Sequence, residues 1–156
     1  MQARLYLNLG VTKEQLEAND DAVNYYETAI KISKTNDLFE LNHKCLMANG
    51  FLYFMKKDDS NSALNIFNRA LEVAKRIQDK NEKMCETLLA KSSVLIQNGD
   101  NQSAKQVLKK AYRLQSPNSS DKEAIEKRLK IGELKKHLDL IRIVLAFHET
   151  KGWIVS

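Results

Sequence analysis

Three histidines and two cysteines are the residues of this 156-residue chain whose types could bind a metal or pass a proton, and their spacing brings none of them together. His43, His137 and His148 have no partner histidine one helical turn away. Cys45 and Cys85 lie in no CxxC or Cys/His cluster, whereas a zinc site draws its ligands in closely spaced pairs. Reduced, packed thiols are the expectation for both. The chain also lacks a glycine-rich phosphate loop, a Ser or Cys nucleophile in a recognisable setting, and a pair of carboxylates in an evident pocket. Neither an enzyme, a metal nor a cofactor is expected.

Binding is the remaining chemistry. Lys127-Arg128-Leu129-Lys130 and Lys135-Lys136-His137 could meet phosphates, but Glu126, Glu133 and Asp139 interrupt them, as on a solvated helix face. The net charge of +5, from 25 basic against 20 acidic residues, is a mild excess, so direct nucleic-acid binding is disfavoured. No apolar run approaches the roughly 18 residues of a membrane span, and the first residues lack the signature of a signal peptide. No membrane contact and an intracellular setting are expected.

The elements that would position a binding surface are helices. Five Gly and one Pro are too few for the turns of an all-β chain, and 43% hydrophobic with 29% charged residues suits a soluble all-α domain. One helical pattern occurs three times: Ala22, Tyr26, Ala29; then Ala63, Phe67, Ala70; then Ala104, Leu108, Ala111, each copy 41 residues after the last. Small and large residues thereby share one stripe, letting two helices approach while the large residue fills the gap beside the small one. Before each copy runs a second amphipathic stretch, at residues 5–16, 41–55 and 84–96, with the small residues Gly10, Gly50 and Ser92 at matching places. Polar turns at residues 18–20, 57–61 and 98–100 supply Asn, Asp and Gly for turns and N-caps. The unit is helix, turn, helix, repeated over residues 1–116 at about 3–36, 38–78 and 80–116. Such units stack into a right-handed superhelix whose concave face comes mainly from the first helix of each pair. Residues 117–150 are expected to form a C-terminal helical cap and 151–156, with Trp153, a tail.

Tyr6, Leu9, Gly10, Ala22, Tyr26 and Ala29, repeated as Leu46, Gly50, Tyr53, Ala63, Phe67 and Ala70, resemble the tetratricopeptide repeat. Copies one and two lack that repeat's terminating proline, and the period of 41 exceeds the usual 34. Residues 5–10 and 104–114, with the long period, are further similar to the tetratricopeptide region of the Tonsoku-like family of DNA-repair scaffolds. That resemblance implies a fragment of a nuclear protein that works with an MMS22-like subunit, recognises newly deposited histones at replication forks and supports homologous recombination. It makes a histone tail the sharpest candidate ligand.

On this alignment the groove residues are Arg4, Leu7, Asn8, Val11 and Glu14 from the first repeat. The second offers Lys44, Met47, Phe51, Phe54 and Met55, and the third Glu86, Leu89, Ala90, Ser93 and Ile96. Asn8 could bond a peptide backbone, and Phe51 and Phe54 could contact the stem or charge of a Lys or Arg. Arg4 and Lys44 do not suit a basic tail. With Asn8 they resemble part of the clamp by which some tetratricopeptide domains grip an acidic C-terminal carboxylate, so a generic adaptor for such a peptide, or for a folded partner, is the alternative.

Overall fold

The computed structural model describes residues 2–114 and 125–126. Among residues 2–114 six helices follow one another: α1 (Gln2–Gln15), α2 (Asn19–Thr35), α3 (Phe39–Met55), α4 (Ser60–Ala74), α5 (Lys80–Gln97) and α6 (Asn101–Leu114). No strand occurs among the described residues. Helices α1 and α2, α3 and α4, and α5 and α6 pack as hairpins, while α2 against α3 and α4 against α5 join one hairpin to the next. The first helices also touch in series, α1 with α3 and α3 with α5, so they form one continuous face.

The alanine, large residue, alanine stripe is the buried seam of each second helix. Ala22, Tyr26 and Ala29 are almost fully buried, as are Ala63, Phe67 and Ala70, and Ala104, Leu108 and Ala111. The glycines of the first helices meet this seam directly. A Cβ on Gly10 would lie 2.5 Å from the Tyr26 ring, and one on Gly50 the same distance from Phe67. Glycine is needed at both because a large aromatic ring occupies the volume where a side chain would begin.

Each hairpin turns through one residue of left-handed backbone. Glu17, Asp58 and Gly99 have φ of 59°, 50° and 81°, and they recur at the 41-residue period of the second helices. At Glu17 the chain closes with Ala18 N–H donating to the Lys13 carbonyl at 2.9 Å, and at Gly99 with Asp100 N–H donating to Leu95 at 2.9 Å. The middle turn is longer: Asp59 N–H reaches back six residues to the Tyr53 carbonyl. That extra residue explains why Gly50 follows Gly10 by 40 positions and Ser92 follows Gly50 by 42, although the second helices keep an even 41. Its two lysines reach the preceding turn, Lys56 to Glu17 at 3.1 Å and Lys57 to Asp20 at 2.6 Å.

The expected N-caps form at two of the three hairpin turns. Asp59 accepts from Ser62 N–H at 3.0 Å and Asp100 from Ser103 N–H at 3.1 Å. Ala18 stands at the cap of α2 and provides no side-chain acceptor, so Asn19 and Asp20 fall inside the helix. Both cysteines are free and buried, and burial pushes the Cys45 thiol up to about 11. The expected cap at 117–150, the tail with Trp153, the basic segment at 127–137, His137 and His148 lie outside the described residues, apart from Ile125 and Glu126. Ile125 is buried with Leu71, Leu88 and Leu108.

Candidate functional site

The parallel first helices and the links between hairpins enclose a groove of about 1560 Å³. Pockets for small molecules span roughly 300–1,000 Å³, so this space has the size for a length of polypeptide. Ten of the fifteen groove residues expected from sequence line it: Arg4, Leu7 and Asn8 from α1, Lys44, Met47 and Phe51 from α3, and Glu86, Leu89, Ala90 and Ser93 from α5.

Val11 and Phe54 do not. Val11 is exposed on α1 beyond the groove. Phe54 packs instead against the cluster of Ala63, Phe67, Ala90 and Val94, because three residues past Phe51 the helix has turned about 300°, which leaves Phe54 about 60° to the side of Phe51 and one turn further along α3. Phe51 keeps its ring at the groove by resting its edge on Phe67, with centroids 5.2 Å apart and planes at 69°. Glu14, Met55 and Ile96 also fall outside. Glu14 is instead an acceptor for the Tyr26 hydroxyl at 3.4 Å.

The junctions between hairpins add residues that the helical pattern did not reveal: Leu38 with Phe39, Glu40 and Leu41 of the first turn of α3, and Arg76, Ile77, Gln78 and Asp79 from the link before α5, together with His43 and Lys83. Their signal is weak in sequence because link residues have no period. The resulting lining carries four cations, Arg4, Lys44, Arg76 and Lys83, and three carboxylates, Glu40, Asp79 and Glu86. Two of these cations already have company. Lys83 lies 3.7 Å from Glu86, and the Arg76 guanidinium sits 4.3 Å over the Phe39 ring centroid. The charge is therefore mixed, and Glu40 and Asp79 supply acid that the sequence reading had not placed here.

Behind this lining, polar contacts fix the helices. Asn42 Nδ2 donates to the Ile30 carbonyl and to Ser33 Oγ, both at 3.0 Å, tying α3 to α2. His43 Nε2 lies 2.7 Å from Thr87 Oγ1, tying α3 to α5. The Thr87 hydroxyl donates to the Lys83 carbonyl at 2.9 Å, so the imidazole is the donor in the shared contact. Burial, with Lys83 nearby, lowers the His43 pKa to about 4, which keeps the ring neutral at physiological pH. His43 is thus a structural crosslink in the groove wall. Among the described residues no three metal-ligating side chains gather, and no helix is long and apolar enough to cross a membrane.

The tetratricopeptide-repeat family profile matches residues 3–36 and 86–118. Tonsoku-like protein of Drosophila melanogaster is 50% identical over 131 residues, 84% of this chain. Those of Danio rerio and Mus musculus are 31% and 33% identical over 81% and 83% of it. The chain spans about 9% of the length of each of these relatives. Repeat pattern, helical stack and relatives together place the chain in the tetratricopeptide-repeat family, as a repeat region similar to that of Tonsoku-like protein.

Proposed function

We propose that this chain is the peptide-reading scaffold module of a nuclear replication and repair factor, and that its concave groove holds a histone tail. The observation that supports this most is the groove itself, which is of polypeptide size and lined by both carboxylates and apolar surface. Glu40 and Asp79 are placed to meet the cations of such a tail, and Met47 and Phe51 offer apolar contact for its Lys and Arg stems. Recognition of new histones at replication forks, support of homologous recombination and partnership with an MMS22-like subunit belong to the same reading, by resemblance.

Arg4, Lys44 and Asn8 support a second ligand, an acidic C-terminal peptide, because all three line the groove. Titration of the chain with labelled histone-three and histone-four tails and an acidic C-terminal peptide separates the two. Micromolar binding of a histone tail, lost in Glu40→Gln and Phe51→Ala, is the expected result. Preference for the acidic peptide, lost in Arg4→Gln or Lys44→Gln, would replace the first reading with the second. Failure of all three peptides would move the partner to a folded protein.

A further inference from the structure

The outward face of α6 differs from its counterparts in the other two repeats. Lys105, Lys109 and Arg113 are exposed and stand at i, i+4 and i+8, about 6 Å apart along the helix, with Gln102, Gln106 and Lys110 beside them. No acidic residue occurs in α6. At the same register α4 carries Leu64, Asn68 and Glu72, and α2 carries Val23, Glu27 and Lys31. The repeat fold therefore does not demand cations there. Like charges at i, i+4 repel, and among the described residues none of the four α6 cations makes an ion pair. Lys110 also presses on the half-buried Lys91 of α5, whose pKa is lowered first by burial and then by that neighbour. The helix dipole favours Arg113 in the last turn but not Lys105, near the positive end.

We propose that this face of α6 contacts the phosphate backbone of duplex nucleic acid, against the expectation from the mild net charge, which averages out the local excess of cations on this helix. A docked protein helix would want an apolar or aromatic centre, and the face has none. It also lacks an exposed aromatic ring on which unpaired bases could stack, which favours a duplex over a single strand. Its chemistry is long side chains bearing charge and amides, which suits phosphate oxygens and carries no sequence information. The concave groove lies on the first helices and takes no part, so this surface is independent of the peptide reading.

Fluorescence anisotropy of the full chain with a labelled 20-base-pair duplex, from roughly 50 to 200 mM salt, tests it. Three phosphate contacts give a log–log salt slope near −3. Each of K105Q, K109Q and R113Q is expected to reduce the slope by about 1, and the triple variant to weaken binding at the lowest salt at least tenfold. All three residues are exposed, so the variants keep the fold, which circular dichroism verifies. A second triple variant, K127Q, R128Q and K130Q, controls for the other basic segment and should leave the α6-dependent part of the slope in place. An α6 triple variant with the parent's slope overturns the proposal. So does tighter binding of a polyglutamate chain or of anionic phospholipid vesicles than of the duplex at equal salt, which would make the face a dock for acidic protein or for a membrane surface.

Discussion

The Tyr26 ring lies so close over Gly10 that a Cβ there would come within 2.5 Å of both Cδ1 and Cε1. Alanine at position 10 raises helix propensity by about 1 kcal/mol, but the overlap with a fully buried ring costs more. Gly10→Ala is expected to lose about 1–2 kcal/mol in urea denaturation, and Gly50→Ala, facing Phe67, a similar amount. The third repeat holds Ser92 and Leu108 at the matching places. Trimming the ring with Tyr26→Leu should therefore restore part of the loss, and additive losses in the double-mutant cycle would show that glycine and ring do not interlock.

Asn49 is fully buried in α3, and neither atom of its amide has a hydrogen-bond partner. An unpaired buried amide carries a desolvation penalty that an apolar side chain of similar shape avoids. Asn49→Leu is expected to raise stability by about 1–2 kcal/mol, read as a higher urea midpoint at unchanged slope.

His43 links acid stability to the groove wall. Its pKa of about 4 in the fold lies below the ordinary 6.5, so between those values the unfolded chain binds the extra proton. Its contribution is complete above pH 6.5 and declines as pH falls toward 4, by about 3 kcal/mol at most. His43→Gln should flatten the stability curve over that interval whatever it does to stability at pH 7. An unchanged pH dependence in the variant would assign the acid sensitivity to other groups.

Gly99 turns the last hairpin at φ 81° with nothing within 4 Å of where a Cβ would lie. Gly99→Ala therefore tests backbone conformation alone and is expected to cost about 1 kcal/mol. Gly99→Asp should cost less, since Asp37 and Asp58 hold the same conformation with a short polar side chain. Equal losses for the two, followed by thermal unfolding, would mean that a short polar side chain gives no advantage in this conformation.

The second helices were legible in the sequence because each must bury the same stripe, and the Ala, large, Ala pattern survives where everything around it varies. The first helices were legible less closely: one extra residue in the turn after α3 shifts Gly50 by one place, and a turn residue carries no period to betray it. For the groove, the lining faces of α1, α3 and α5 followed from helical spacing, with the error at Phe54 falling nearly one helical turn past Phe51, where the groove has already ended. Glu40, Arg76 and Asp79 were missed for a different reason. Their place depends on how two hairpins meet, and contacts between units of the stack leave no mark within either unit.

Each helix of the described stack touches only its near neighbours in the chain, with no contact between the first hairpin and the last. Such a stack stores deformation as a spring does, a little at every junction, and a ligand gripping α1 and α5 together would set its curvature.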